Sequence, residues 1–427
     1  MAFKTLFSCL ALLAAVATAE PADTPSEEPV SYDGFKVFRV PVTGDPQRIN
    51  DVVSQLNLAF WQPASRKDAF ADIEVPPDSL DAFNKEMETD GIQVTVMHED
   101  LGKSISDEAT YSVYAEGSAN DTWFTSYHSY ADHLQWLKDL QSKFPNNSEV
   151  VSSGKSLQDN DISGIHLFGS SGKGTKPAIV FHGTVHAREW ISSMVVEYFA
   201  YTLASNYSTN NEIASFVDKY DFYLFPIVNP DGFKYTQTTN RMWRKNRQTT
   251  NNSPCIGHDI NRNWPYQWDG PGSSQDPCAE DFRGESPGDA PETKSLTTFI
   301  QTVKGKQGLK LYIDWHSYSQ LFMSPYGYTS EKLPANNDEL QNLMRGVVEA
   351  IRGVYGTEFD FGPICTTIYP AAGSSVDWVT DVAKGDYVFT SELRDRGRFG
   401  FVLPADQIIP SGQEAFAGVK YLLTKMK

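Results

Sequence analysis

Strand-like and helix-like hydropathy patterns alternate from about residue 35 to the C-terminus, in two blocks separated by a polar stretch. In the first block FKVFRVPV (Phe35 to Val42) has strand periodicity, PQRINDVVSQLN suits a helix, and LAFWQ and AFADIEVP suit two further strands. SLDAFNKEMETD reads as a helix that Asp78 can N-cap and Gly91 ends, and IQVTVMH closes the block as a strand. The order β-α-β-β-α-β predicts a small α+β open sandwich. EDLGKSISDEATYSVYAEGSAND, which follows it, reads as an exposed, cleavable linker.

From Trp123 onward the alternation predicts one large α/β domain, a central mixed and mostly parallel sheet flanked by helices. Its clearest strands are PAIVFHG (177–183), FYLFPIVN (222–229), LKLYIDWH (309–316) and GDYVFTSEL (385–393). Helical patterns lie between and after them, at 190–205, 337–356 and in QEAFAGVKYLLTKM. Ligands of open α/β sheets sit beyond the carboxyl ends of the strands, so chemistry is expected there.

The N-terminus adds a compartment. Lys4 precedes an apolar run from Leu6 to Val16, and Ala17-Thr18-Ala19 supplies a small-x-small cleavage pattern, so residues 1–19 are expected to be a signal peptide removed before Glu20. The run is shorter than the roughly 20 residues a membrane span needs, and the mature protein is expected to be secreted. Residues 20 to 32, rich in Pro and acid, read as a flexible lead. Secretion gives the cysteines meaning, since Cys9 leaves with the signal and three remain. Cys255 and Cys278 would close a loop rich in Asn, Pro and Gly, where a disulfide contributes about 3 kcal/mol. Cys365 then reads as a buried free thiol, with a pair involving it left open. Sequons at Asn120, Asn146, Asn206 and Asn251 fit a glycosylated product.

Composition narrows the partners. The 427 residues carry 54 acidic against 36 basic side chains, a formal charge of -18, which argues against nucleic acid and anionic membranes. Residues 20–116 hold 20 of those acids and only 7 of the bases, so most of the acidity lies in the segment before the large domain. With 40% apolar and 13% aromatic residues, disorder over most of the chain is excluded.

At the strand ends, HGTVHAREW places His186 and Glu189 three residues apart, close enough to reach one ion as a helix begins, though an ion pair or a helix-start Glu reads as well. DWHSYSQ puts His316 at the end of another strand. Two imidazoles and a carboxylate are a set that holds catalytic zinc and leaves a position for water. The helical HExxH arrangement is absent.

HAREW, MWRKNR (242–247), DINRNW (259–264), HSYSQ (316–320), TIYPAAGSSVDW (367–378) and ELRDRGRFGF (392–401) together resemble the motifs of the pancreatic-type zinc metallocarboxypeptidases, carboxypeptidase A/B-like with A-type specificity. The likeness runs in family order from about Tyr127 to the C-terminus, and the first block resembles the family's activation propeptide, a ferredoxin-like open sandwich. The resemblance implies a preproenzyme with residues 1–19 as signal peptide, 20–115 as propeptide with its cleavable linker and 120–427 as catalytic domain. It implies one Zn2+ held by His186, Glu189 and His316, with Asp259 orienting His186. Glu392 would be the general base for attack by zinc-activated water, and Arg244 would polarise the scissile carbonyl and stabilise the oxyanion. Asn261 and Arg262 would bind the substrate's terminal carboxylate, Tyr369 would fold over it, and Arg188, Arg241, Tyr318 and Phe401 would support neighbouring subsites. By the same resemblance Val376 would stand at the pocket base, where an acid would select C-terminal Lys or Arg; with Met323, Ile364, Ile368, Ala371 and Thr390 it implies aromatic or branched aliphatic C-termini. Met323 and Ser374 depart from the usual pattern.

The implied partners are peptide and protein C-termini, the chain's own propeptide as inhibitor and an activating protease, with no nucleic acid or membrane. The competing reading is a catalytically silent zinc- or peptide-binding relative. A serine hydrolase is disfavoured because no G-x-S-x-G elbow occurs, and P-loop and dinucleotide fingerprints are missing, the GKG at 172–174 reading as a turn.

Overall fold

A computed structural model describes residues 28–108 and 114–427. The predicted signal peptide, most of the lead and the middle of the linker lie outside the described residues.

The first block folds as β1 Lys36–Pro41, α1 Pro46–Gln55, β2 Ala59–Gln62, β3 Phe70–Val75, α2 Leu80–Thr89 and β4 Thr95–His98. The strands form an antiparallel sheet in the order β2-β3-β1-β4. Phe38, Val40, Ile73 and Val75 bury against Ile49, Val52, Phe83 and Met87 of the two helices, which gives the expected open sandwich. α1 begins on Asp45, which caps the Gln47 N–H, and Pro46, whose missing N–H costs nothing at that position. Asp78 does not cap α2. It sits inside a 3-10 turn, Pro77–Ser79, that Pro76 and Pro77 set up, and α2 starts after it with no side-chain cap.

Two further expectations are corrected. The predicted linker begins as a helix, α3 Leu101–Glu108, because Leu101 and Glu108 at its ends are both buried. The lead is anchored where it meets the sandwich: Val30 N–H donates to the Thr239 carbonyl, and Tyr32, 7% exposed, donates its hydroxyl to Asn240.

The second block contains α4 Tyr130–Lys143, β5 Ser148–Lys155, β6 Asp161–Leu167, β7 Ala178–Gly183, α5 Trp190–Asn206, α6 Asn211–Lys219, β8 Asp221–Phe225 and α7 Pro230–Thr238. Then come α8 Pro291–Gln307, β9 Leu309–Ser317, β10 Leu321–Ser324, α9 Asn337–Tyr355, β11 Asp360–Pro363, the short α10 Ile364–Thr367 and α11 Ser375–Trp378, β12 Tyr387–Leu393 and α12 Ile408–Lys425. Eight strands make one sheet in the order β11-β10-β12-β9-β7-β8-β6-β5. The central pairs β12/β9, β9/β7 and β7/β8 are parallel, while β10/β12, β6/β8 and β5/β6 are antiparallel, so the sheet is mixed as expected.

Buried on both faces, the central strands read as continuous apolar runs, and alternate residues serve opposite cores. Ile179 and Phe181 join α5, α9 and α12 on one side; Ala178 and Val180 join α8, Trp264 and the 364–379 segment on the other. That arrangement puts the carboxyl ends of β7, β9 and β12 side by side. Cys255 and Cys278 are bonded, as expected, and Cys365 is free but only partly buried.

Candidate metal centre and active-site cleft

β7 ends at Gly183, and the chain turns through Val185–Arg188 into α5, whose N-cap position is Glu189. The Glu189 side chain makes no cap hydrogen bond. It turns instead toward two imidazoles. His186 Nδ1 lies 2.7 Å from Glu189 Oε1, His316 Nδ1 lies 3.0 Å from Glu189 Oε2, and the two Nδ1 atoms are 3.1 Å apart. All three side chains are buried, and their ligand atoms fall within 4.8 Å of one another. Two nitrogens bound to one zinc at a tetrahedral angle are about 3.3 Å apart. The convergence of acceptor atoms in so small a space therefore fits a zinc ion on chemical grounds.

Behind His186, Asp259 Oδ1 stands 3.2 Å from Nε2, and Asp259 Oδ2 accepts from Arg244 Nη2 at 2.8 Å and Nε at 3.2 Å. Burial works against the Asp259 charge, but Arg244, His186 and Arg262 hold its carboxyl well below the usual range. Burial likewise opposes the Arg244 charge, which Asp259 sustains above its ordinary value. One carboxylate thus fixes an imidazole and a guanidinium on the same side of the cleft. Behind His316 lies an acid that the motif reading missed: Asp314 Oδ1 is 2.9 Å from His316 Nε2. Its place in an apolar strand, two residues before His316 and so on the same face, is the signal that could have found it.

Asn261 and Arg262 follow Asp259 in a short 3-10 turn that Asp259 caps. Arg262 is held by the Gly272 carbonyl through Nε at 2.6 Å, and its guanidinium carbon lies 5.9 Å from the Tyr369 ring centre. Asn261 Oδ1 accepts from the Ser375 N–H at 3.0 Å, which brings the 369–376 segment over the turn. Gly373, at φ +68°, allows that approach, since a Cβ there would collide with the Arg262 carbonyl. Glu392, near the end of β12, stands in register with His316 and faces the same cavity as His186, Asn261, Arg262, Met323, Ile364, Ala371, Val376 and Thr390. Burial raises its carboxyl pKa against the pull of His316. Arg394, two residues further along the chain, pairs with Glu414 at 2.5 Å. Ser374, one of the departures, caps α11 through the Asp377 N–H.

The remaining predicted positions meet the first block. Arg241 makes a two-pronged pair with Glu108 of α3, at 2.7 and 2.9 Å, and stacks over Trp190. Tyr318 donates its hydroxyl to Asp72 of β3 at 2.5 Å, and Asp72 also pairs with Arg39. Trp61 of β2 packs 5.2 Å from Phe401. Arg188 lies 4.2 Å over Phe401 and 3.3 Å from Glu280. Glu108, Asp72 and Trp61 were not singled out from the sequence. Each meets a partner more than a hundred residues away, which no local pattern encodes.

Comparison with known proteins gives the family. Residues 133–418 match the family model described as zinc carboxypeptidase, and residues 44–108 match that of the carboxypeptidase activation peptide. The chain belongs to the zinc carboxypeptidase family. A metallocarboxypeptidase A-like protein of Trichophyton verrucosum is 49% identical over 98% of this chain and 100% of its own length. Mouse carboxypeptidase A4 is 37% identical over 93% and 94% of the two chains. The solved structure of thrombin activatable fibrinolysis inhibitor superposes with a TM-score of 0.85 at 27% identity, covering 92% of this chain and 98% of that one. Carboxypeptidase A from Helicoverpa armigera gives 0.79 at 26% identity, over 91% and 97%. The protein is a metallocarboxypeptidase with zinc as its cofactor and an activation peptide that marks it as a zymogen. Among the described residues no helix is long and apolar enough to cross a membrane.

Proposed function

We propose that this zymogen is secreted through a cleaved signal peptide, is glycosylated on exposed sequons such as Asn146 and Asn251, and after activation releases C-terminal aromatic or branched aliphatic residues. The observation that carries the chemistry is the meeting of His186, Glu189 and His316 with Glu392, Arg244 and Arg262 around one cleft at the carboxyl ends of β7, β9 and β12.

His186, Glu189 and His316 would hold the zinc, which when bound would supply Lewis-acid polarisation and lower the pKa of water. Arg262 and Asn261 grip the terminal carboxylate, and Tyr369 closes over it. The side chain of the last residue enters the space bounded by Met323, Ile364, Ala371 and Val376. Arg244, fixed by Asp259, points its charge where the scissile carbonyl becomes an oxyanion. Glu392 takes the proton of the attacking water and returns one to the leaving amine. Arg188, Arg241, Tyr318 and Phe401 line the approach once the first block has gone. An activating protease cuts between Glu108, where α3 ends, and Ala119, a stretch in which Tyr114 and Gly117 hydrogen-bond Asp139. Arg244, held by Asp259, and Glu392, facing the same cleft, support the catalytic reading over the silent binder.

The test is the cut protein assayed on peptides ending in Phe, Leu, Lys or Glu. Phe or Leu is expected to leave at least about 100-fold faster than Lys, because an ammonium in this pocket meets no counter-charge. A chelator is expected to abolish release, and added zinc to restore it. Fastest release of Lys, or indifference to the chelator, would overturn the reading. Val376→Asp is expected to invert the preference, since it places a buried carboxylate where the substrate side chain ends. Rates on the Phe and Lys peptides, measured side by side, check it.

A further inference from the structure

Asp314, a buried acid, and His182, a buried imidazole on the neighbouring strand, have no part in the chemistry above. Asp314 and His316 lie two residues apart on β9, on one face, and His182 on β7 stands directly opposite Asp314 in the parallel ladder. All three side chains are fully buried or nearly so. Asp314 Oδ1 is 2.9 Å from His316 Nε2 and 3.2 Å from His182 Nδ1, and Asp314 Oδ2 accepts from the Ser375 hydroxyl at 2.6 Å. The far nitrogen of His182, Nε2, is hydrogen-bonded to the Tyr312 hydroxyl.

The two contacts of Oδ1 are close but not aligned as ordinary hydrogen bonds. They are contacts of charge, and what they decide is the position of a proton. His316 Nε2 has a second neighbour, the Asn261 amide nitrogen at 3.2 Å, which can only donate. If that donor prevailed, the neutral ring would carry its proton on Nδ1 and could not offer a lone pair to an ion there. A carboxylate at Nε2 requires the opposite: proton on Nε2, lone pair on Nδ1, beside Glu189. His182 supports the carboxylate when its own proton sits on Nδ1 and its Nε2 accepts from Tyr312.

We propose that Asp314, backed by His182 and Ser375, is a positioning residue that sets the tautomer of His316 and so the strength with which the cluster holds zinc. It would do for the second imidazole what Asp259 does for the first. This rests on the reading that His186, Glu189 and His316 are the ligands. The plain alternative is a buried acid–imidazole pair that serves only folding, of the kind His166 and Asp221 form across β6 and β8 of the same sheet.

The test uses the full-length chain, stripped of metal and titrated with zinc against a chromophoric chelator. Asp314→Asn, close in shape, is expected to bind zinc about 10- to 100-fold more weakly and to shift the visible absorption of the cobalt-substituted chain. Its melting temperature without metal should stay near that of the unaltered chain. Zinc affinity within twofold of the unaltered chain, while His316→Ala loses the metal, would overturn the proposal alone. Undiminished affinity in His316→Ala would overturn the ligand assignment and the proposal with it. Should Asp314→Asn not fold, nitrogen-15 NMR of the histidines in the zinc-loaded, unaltered chain decides. A His316 proton on Nε2 supports the proposal, and a proton on Nδ1 refutes it.

Discussion

Glu392→Gln in the cut protein is expected to lower kcat for release of C-terminal Phe by about 10²- to 10⁴-fold, the range general base catalysis supplies. The substitution keeps the shape of the side chain and removes only its ability to take a proton. Three features of the cleft make the loss specific. Glu392 stands in register with His316 on the adjacent strand, so it faces the candidate ion site without being one of the three clustered side chains. It is half-buried, and Arg394, the cation two residues further along the chain, is engaged by Glu414 and Gln407. Arg244, which would steady the oxyanion, is fixed by Asp259 and does not depend on Glu392 for its position. Zinc content and KM are therefore expected to change little while kcat falls. In energy the loss corresponds to about 3–5 kcal/mol of transition-state stabilisation. Stopped assays on a Phe-terminated peptide, with zinc measured on the same samples, check it. Full activity in the variant would place the base elsewhere.

Why the candidate site was legible and its surroundings were not follows from how far each residue's partner lies along the chain. β7 and β9 could be read because both faces of the sheet are covered, leaving apolar runs that end abruptly in His, Glu or Arg. The site residues sit in short stretches tied to those ends, as Asp259, Asn261 and Arg262 are to one 3-10 turn. Asp314 was readable only through its two-residue spacing from His316, which puts both on one face; that it also meets His182 depends on the register of β7 with β9, which no local pattern encodes. The Asp78 cap failed for a local reason, the Pro76-Pro77 pair that starts a 3-10 turn first. α3 was mistaken for an exposed linker because six of its eight residues are polar or Gly, and its anchor, Glu108, pairs with an arginine 133 residues away. The acidity of the first block has a similar address: two of its acids, Asp72 and Glu108, meet Tyr318 and Arg241 of the cleft.

That last pair leads to the second large effect. In the uncut chain, Glu108→Ala is expected to raise residual activity by about 10²- to 10³-fold, up to the ceiling set by the cut enzyme. The Glu108 and Arg241 side chains are 1% and 4% exposed, and Arg241 is further enclosed by Trp190 and the Phe401 carbonyl. Removing one partner of such a pair leaves the other charge buried and uncompensated, at a cost of about 3–5 kcal/mol. The closed chain can escape that cost by moving α3 away and letting water reach the guanidinium, which opens the cleft. Exposed contacts across the same boundary, such as Arg66 to the Thr367 carbonyl, are expected to matter far less. Asp72→Asn should act in the same direction but more weakly, because an amide can still accept from Tyr318. The quantity to measure is the ratio of uncut to cut activity for each variant, which removes any effect on catalysis itself. Removing both charges in a Glu108→Ala, Arg241→Ala double variant is expected to restore part of the closure, since no buried charge is then left unpaired. A Glu108→Ala zymogen as silent as the unaltered one would mean that Trp61 and Asp72 cover Phe401 and Tyr318 firmly enough alone, with α3 serving only as a tether.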